Sequence, residues 1–239
     1  MEMSDEPYFP QQNNVTLGHR NTCAGSIIRL PGVSVMKLNE CAGRYKSFVS
    51  LGSTCQAAYQ LSRLGLRQFA SPLDWFISDS VDGLVRLLHH RFEGFMNFSN
   101  LQLVDRTQEC FVIKDRIYDI ASYHDFPLYI GRWWDAYPAF KEKMDRRVDR
   151  FWRTIQNKPV LFVRTDTSRE EAQQLKRALN ALMHGNFRLL IVNNNPHFTP
   201  EVLEENWGIE GVCCVTVPGG FDWRGSNEAW NLVMSSFTL

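Results

Sequence analysis

The chain has 239 residues, in which 26 Lys and Arg balance 26 Asp and Glu, and 44% of the residues are hydrophobic. This apolar content is enough to build a core, so the composition excludes an intrinsically disordered chain. The length fits one domain or at most two small ones. A zero net charge argues against binding nucleic acid mainly through its phosphates, so we expect no nucleic-acid partner.

The apolar runs are short. The run 189–192 lies between Arg188 and Asn193 and is far below the roughly 20 residues that a membrane span needs. Residues 1–14 are polar and acidic and lack the pattern of a secretory signal. The 6 cysteines form no C-x-x-C pair, which favours reduced thiols over disulfides or structural zinc. We therefore expect a cytoplasmic protein without membrane contact, metal or cofactor.

The first 45 residues are predicted to be a partly ordered N-terminal arm. Pro, Asn and Gln are frequent there, and neither a helical nor a strand period persists. Two short strands, 26–30 and 33–38, are predicted around a turn at Pro31 and Gly32. The remaining residues, 46–239, are predicted to form a single domain.

The first strong signals are a strand and a helix. Residues 48–51 read as a short buried strand that ends before a glycine. Ser53 and Gln56 have the spacing of a capping box, which predicts a helix over 54–64 with Gly65 as its C-terminal stop.

The later elements follow from apolar periodicity and from turn and capping residues. They are a helix at 80–92 with Asp79 as its cap, a hairpin of strands 110–113 and 117–123, a long amphipathic helix at 136–156, a strand at 160–163, a helix at 168–183, and strands at 187–192 and 212–217. The strand, helix and strand from 160 to 192 predict a parallel pair with a right-handed crossover.

Cys55 is the candidate nucleophile. It lies near the start of the predicted helix 54–64, where unpaired N–H groups and the helix dipole stabilise a thiolate and lower the thiol pKa. The same N–H groups suit a developing oxyanion. The alternative interpretation is a buried cysteine in a core helix, since free cysteine is among the most buried residue types.

His124 is the candidate base. His89, His90 and His184 lie at predicted helix ends, where a structural role suffices, while His19 lies in the arm and His197 in a loop. His124 instead follows a predicted strand. A strand-borne histidine after a helix-borne cysteine is the arrangement of papain-like enzymes.

Several stretches together resemble an uncharacterised bacterial family described as putative papain-like cysteine peptidases. They are Ser50 to Cys55, Ser71 to Trp75, His124 to Phe126 and the β-α-β unit that opens with Val160 to Arg164, and the resemblance covers roughly residues 46 to 235. It implies an α+β fold, with a papain-like core whose nucleophile helix packs on a sheet and with a C-terminal β-α-β segment. It also implies a Cys–His site with Cys55 as nucleophile and His124 as base.

The third member of a triad is left open between two carboxylates. Asp74 lies in a loop that is able to fold back toward the base. Asp125 is adjacent to His124, and because neighbouring side chains of a strand point to opposite faces, it is able to orient His124 only if the strand has already ended. Asp166, at the end of a predicted strand, ranks behind them.

The oxyanion donor expected by default is the N–H of Cys55, with a hydroxyl of Ser53 or Thr54 as an addition. The glutamine that papain-type enzymes carry before the nucleophile is absent. Trp75 is a candidate substrate wall, as are Trp133, Trp134, Trp223 and Trp230, although aromatic residues more often belong to the core. Arg164 and Arg224 are candidates for an anionic substrate group or for ordinary ion pairs.

These residues predict a cysteine hydrolase, a peptidase or amidase, that acts on a peptide, amide or acyl substrate through a covalent acyl-enzyme. The alternatives are an acyltransferase or transglutaminase-like enzyme on the same dyad and a non-catalytic module that binds a carbohydrate or nucleotide. The sequence leaves the oligomeric state open.

Overall fold

The computed structural model describes residues 37–156, 159–183, 187–195 and 201–239. The helices in these ranges are α1 (Leu38–Cys41), α2 (Gln56–Arg63), α3 (Val81–His89), α4 (Tyr137–Ile155), α5 (Arg169–Met183) and α6 (Asn227–Met234). The strands are β1 (Gly43–Arg44), β2 (Ser47–Ser50), β3 (Phe76–Ile77), β4 (Leu101–Arg106), β5 (Phe111–Asp115), β6 (Ile120–Ser122), β7 (Val160–Thr165), β8 (Phe187–Asn195), β9 (Leu203–Glu205), β10 (Val212–Pro218) and β11 (Phe237–Thr238).

The central sheet has the order β2-β7-β8-β10-β9. Its first four strands run parallel, and β9 pairs antiparallel at one edge. Every residue of β2 and β7 is buried, as expected for parallel strands with elements packed on both faces. The predicted β-α-β unit is confirmed, since β7 and β8 flank α5 and pair in parallel.

Alternate residues of the central strands enter two separate cores, because successive side chains of a strand point to opposite faces. Val160 and Phe162 pack with apolar residues of α3, α4 and α5. Leu161 and Val163 pack on the other face with residues of α2 and α6. Helix α2, which follows Cys55, therefore lies on the opposite face of the sheet from α5.

A second, antiparallel sheet has the order β3-β6-β5-β4. The predicted hairpin is confirmed as β5 and β6, with Ile113 opposite Ser122. Strand β6 also pairs with β3, where Phe76 lies opposite Ser122. This pairing brings the segment that follows β6 next to the segment that follows α2.

Helix ends differ from the sequence-based predictions, most of all at the C-terminus of α3, which ends at His89 rather than at residue 92. Helix α2 begins at Gln56 rather than at residue 54. Helix α3 is capped by Ser80 rather than Asp79, because the Ser80 hydroxyl accepts a hydrogen bond from the N–H of Gly83. The capping box of α5 is present as predicted, with the Ser168 N–H donating to Glu171 across 2.8 Å.

The predicted arm is only partly described. The predicted strand 26–30 lies outside the described residues, and so does 33–38 apart from its last two positions. There Lys37 is the N-cap of α1 and Leu38 is its first residue, so this end of the predicted strand is helical. Strand β1 pairs in parallel with β11, so residues 43–44 lie beside the C-terminal end of the described chain. Helices and several sheets together confirm the prediction of a mixed α/β chain. Within the described ranges, no helix combines the length and the apolar character needed to cross a membrane.

Candidate active site

The site is built at the edge of the central sheet where its parallel strands end. In open α/β sheets this edge is where ligands bind. The loop after β2 carries Thr54 and Cys55, and the end of β7 carries Thr165. The hydroxyl oxygens of Thr54 and Thr165 lie 3.4 Å apart, so the two strand ends are in contact beside Cys55.

The loop before Cys55 turns through two consecutive left-handed residues, Gly52 (φ 76°) and Ser53 (φ 74°). Ser53 is held there by Ser78: its N–H donates to the Ser78 hydroxyl, and its carbonyl accepts from the Ser78 N–H, each across 3.1 Å. The predicted capping box is therefore wrong at α2, where Ser53 is not the N-cap and the N-cap residue, Cys55, makes no side-chain hydrogen bond to the helix. The Thr54 hydroxyl accepts instead from the N–H of Gln56 across 3.3 Å.

Arg164 supports this loop from strand β7. Its guanidinium donates to the Leu51 carbonyl at 2.8 Å, to the Ser78 hydroxyl at 2.9 Å and to the Ser78 carbonyl at 2.6 Å. Arg164 is 1% exposed, and burial lowers its pKa to about 10. The sequence suggested a substrate anion or an ion pair as its partner. The structure places it on backbone carbonyls and on Ser78, which no sequence motif had marked.

Cys55 and His124 lie side by side, with Cys55 Sγ 3.8 Å from His124 Nε2. Cys55 is 4% exposed and immediately precedes the first residue of α2. His124 is partly buried and follows β6 by two residues. The pairing of β6 with β3 accounts for this approach, since Ser78, directly after β3, is bonded to the Cys55 loop.

The environment of this pair favours uncharged forms. Burial raises the pKa of the Cys55 thiol to about 12, and the Asp125 and Asp74 carboxylates add to the rise. Burial lowers the pKa of His124, and the Asp125 charge partly opposes that change. The helix-dipole argument predicted a lowered thiol pKa. In the structure the loss of hydration and two nearby negative charges shift the thiol pKa in the opposite direction.

The Asp125 carboxylate has two partners. One oxygen accepts from the Ser122 hydroxyl, and the other binds the Lys143 ammonium of α4, each across 2.5 Å. Strand β6 has ended at Ser122, as an orienting role for Asp125 required. The carboxylate is hydrogen-bonded to Ser122 and Lys143, and it acts on His124 through its charge.

Asp74 is held in its own loop. It is 2% exposed, and one carboxylate oxygen accepts from Arg67 Nε and from the Ser71 N–H, each across 2.8 Å. Burial raises the pKa of Asp74, while Arg67 acts in the opposite direction. These contacts describe a buried ion pair that fixes the Ser71–Trp75 turn.

Besides its contact with His124, Cys55 packs in an apolar cluster. Cys55, Ala58 and Trp75 form one buried cluster, against which Tyr59, Ile77 and Trp223 pack with partial exposure. Two predicted wall residues, Trp75 and Trp223, are thus beside the thiol. Of the others, Trp230 is fully buried with residues of α2, and the two at 133–134 pack with each other outside this cluster.

A polar network that the sequence did not predict joins Gln56 of α2 to the ends of β7 and β8. Gln56 accepts from Asn194 Nδ2 across 3.1 Å and donates to the Trp223 carbonyl across 3.3 Å. The same Asn194 amide binds both oxygens of Asp166. Asp166 therefore ties the end of β7 to the end of β8. Among the described residues, no group of three or more His, Cys, Asp and Glu side chains is placed to hold a metal ion.

Comparison with known proteins places the chain in a family. The profile of one family, described as "Putative papain-like cysteine peptidase (DUF1796)", matches residues 46–195, which include Cys55 and His124. The relative "Uncharacterized protein R408" of Acanthamoeba polyphaga mimivirus is 29% identical over 174 residues, or 62% of this chain and 78% of that protein. This relative is viral, so a bacterial family stays a prediction.

No solved structure matches the chain. Because the family profile covers more than half of its residues, the chain belongs to the family described as putative papain-like cysteine peptidases.

Proposed function

We propose that this protein is a cysteine hydrolase, a peptidase or amidase, in which Cys55 is the nucleophile and His124 the general base. The observation that carries the proposal is the distance of 3.8 Å between Cys55 Sγ and His124 Nε2, two atoms from residues 69 positions apart. The description of the family supports the same class of enzyme. The proposal includes a papain-like core in which α2 is the nucleophile helix, supported by the contacts of α2 with β2 and β7.

In this mechanism the resting pair is neutral, as the direction of both pKa shifts favours. Cys55 Sγ attacks the substrate carbonyl carbon while His124 Nε2 takes the thiol proton. The tetrahedral intermediate collapses as the C–N bond breaks, and the imidazolium returns that proton to the leaving amine. A thioester with Cys55 remains. Water then attacks the thioester carbon, His124 takes its proton, and the carboxylic acid leaves as the thiol is restored.

The oxyanion donor in the proposal is the backbone N–H of Cys55. Within the described residues this N–H has no hydrogen-bond partner, whereas the preceding N–H groups of Gly52 and Ser53 already bind hydroxyl oxygens. The Thr54 hydroxyl is the candidate second donor, since it lies at the same strand ends beside Thr165. Asp125 contributes through its negative charge, which favours the imidazolium that forms during attack.

The rate of iodoacetamide alkylation at Cys55, followed by peptide mass spectrometry, tests the dyad without a known substrate. Because general-base assistance contributes about 100-fold or more, we expect at least that loss of rate at pH 7 in His124→Ala. Cys110 is an internal control in the same molecule, since it is a free buried cysteine outside the Cys55 cluster. An alkylation rate at Cys55 that is the same with and without His124 contradicts the proposal.

A library of fluorogenic peptide and amide substrates then tests turnover. Hydrolysis that Cys55→Ala abolishes, and that Cys110→Ala leaves at the parent rate, supports a hydrolase. Supplying an amine or alcohol acceptor separates hydrolysis from acyl transfer, because a transferase gives the acylated acceptor as its main product.

A further inference from the structure

The C-terminal segment 219–227 lies outside the region that matches the family, yet it contacts the Cys55 helix. Gln60 of α2 donates to the Arg224 carbonyl at 2.7 Å and to Asn227 Oδ1 at 2.9 Å, and Gln56 donates to the Trp223 carbonyl at 3.3 Å. Both glutamines are buried. The segment is therefore fixed on α2 at the turn that follows the nucleophile.

Glycine permits this close approach. Gly225 is left-handed, with φ 74°, and a Cβ at this position would overlap the side-chain amide of Gln56. A Cβ on Gly220 would overlap the backbone of Gly225. The glycine pair at 219–220 thus has a structural role, since it lets the segment fold back on itself and brings Trp223 to the site.

Trp223 meets Tyr59 beside Cys55. The two rings are edge to face, with centroids 5.4 Å apart and planes at 72°. Ala58 and Tyr59 lie three and four residues after Cys55 on α2, which places them on the same helix face as the thiol. Both rings and Ile77 are only partly buried. The sulfur is therefore bordered by half-exposed apolar surface, with a small residue, Ala58, directly next to it.

The two charged side chains at the outer rim of this apolar surface, Arg224 and Asp222, form an ion pair. The Arg224 guanidinium lies 5.9 Å from the ring centroids of both Tyr59 and Trp223, and it is paired with Asp222. Both charged side chains are well exposed. Because the exposed charge is paired and the inner surface is apolar, this rim gives no preference for an ionic substrate group.

We infer that Trp223 and Tyr59 form a specificity wall for an apolar or aromatic side chain on the acyl part of the substrate. This inference rests on the proposed function, since it takes Cys55 as the nucleophile. Burying an aromatic side chain against such a wall accelerates acylation by bringing the carbonyl to the sulfur. Trp223 and Tyr59 are specificity-determining residues in this account and take no part in the proton transfers.

Two alkylating probes test the wall by its effect on rate. We compare iodoacetamide with N-benzyl iodoacetamide at Cys55 of the parent protein, Trp223→Ala and the control Trp134→Ala. Trp134 is a half-exposed tryptophan outside the Cys55 cluster. Burial of one benzyl ring predicts a preference for the benzyl probe of roughly tenfold in the parent and the control, with little or no preference in Trp223→Ala. An equal preference in all three proteins overturns the inference.

Equilibrium binding to Cys55→Ala separates this inference from the catalytic proposal, because that variant has no thiol at the site. N-acetyl-phenylalaninamide, titrated by calorimetry, is expected to bind roughly tenfold more tightly than N-acetyl-glycinamide, and to lose that advantage when Trp223→Ala is added. Tighter binding of N-acetyl-aspartic acid amide, or no difference between the ligands, refutes the apolar wall even if Cys55 and His124 prove catalytic. If binding is selective but the alkylation rate of Cys55 does not depend on His124, the hydrolase proposal is refuted and an apolar ligand site remains.

Discussion

Arg164 and Ser78 are joined by two hydrogen bonds, one from Nη1 to the Ser78 hydroxyl and one from Nη2 to its carbonyl. The same Nη1 reaches the Leu51 carbonyl. Ser78 in turn holds the left-handed Ser53. Arg164, a strand residue of the central sheet, thus supports the loop that presents Cys55. It does so by binding the backbone carbonyls of Leu51, after β2, and of Ser78, after β3.

We expect Arg164→Lys to loosen this loop. A lysine ammonium lacks the planar fork that binds three acceptors at once, so buried carbonyls lose their donors. The free energy of unfolding in urea is expected to fall by about 3 kcal/mol, and Cys55 alkylation is expected to lose its dependence on His124. Arg169→Lys is the matched control, because Arg169 donates to a single carbonyl at the surface. Parent-like stability and reactivity in Arg164→Lys would show that the loop holds its shape without the guanidinium.

The charge of Asp125 gives a prediction about pH. The thiol pKa is raised to about 12, so the alkylation rate of Cys55 without base assistance should keep rising with pH through pH 10, without a plateau. Asp125 raises both the thiol pKa and the His124 pKa. Asp125→Asn should therefore lower both values. Alkylation at pH 8 becomes faster, and the acid limb of the activity profile moves to lower pH, since His124 then stays unprotonated to a lower pH.

The same variant also frees the Lys143 ammonium, whose charge acts in the same direction on both groups. Asp145→Asn is the control, because Asp145 is an exposed carboxylate on the same helix that pairs with Lys141. We expect its two pH profiles to match those of the parent. An acid limb that moves to higher pH in Asp125→Asn would contradict the electrostatic role given to Asp125.

Local signals were enough to identify the β-α-β unit and to select Cys55 and His124 as candidates. Strand β7 opens with four apolar residues and is buried throughout. Helix α5 opens with a capping box and follows β7 after a short loop. Strand β4 was not predicted. Most of its residues are exposed, and its pairing with β5 shifts register between Leu103 and Asp105, which removes the clean alternation that marks a strand.

Long-range contacts explain the rest of what the sequence did not reveal. Ser53 has the spacing of a helix cap, but Ser78, 25 residues away, holds it in a left-handed conformation that takes its side chain from that role. Trp223 reaches Gln56 across 167 positions, so no window of sequence places it beside Cys55. The two candidate orienting carboxylates were equivalent in sequence, and only their partners in the fold separate them.

Asp74 provides the prediction that separates a structural carboxylate from a catalytic one. It is buried and paired with Arg67, whose Nη2 is buried without a hydrogen-bond partner among the described residues. Removing the carboxylate leaves a mostly buried cation uncompensated, so Asp74→Ala should lose about 3 to 5 kcal/mol of unfolding free energy in urea. The exposed pair of Arg132 and Asp135 is the control, and Asp135→Ala should cost less than about 1 kcal/mol.

The double variant Arg67→Met with Asp74→Leu removes both charges together and should recover most of the stability lost in Asp74→Ala, because the cost comes from the unpaired charge. Cys55 alkylation in this double variant then decides the role of Asp74. A rate that still depends on His124 at the parent level shows that Asp74 acts only through the turn that it holds. A stable double variant in which that dependence is lost would instead make Asp74 the group that orients His124, since the fold is intact and only the carboxylate is missing.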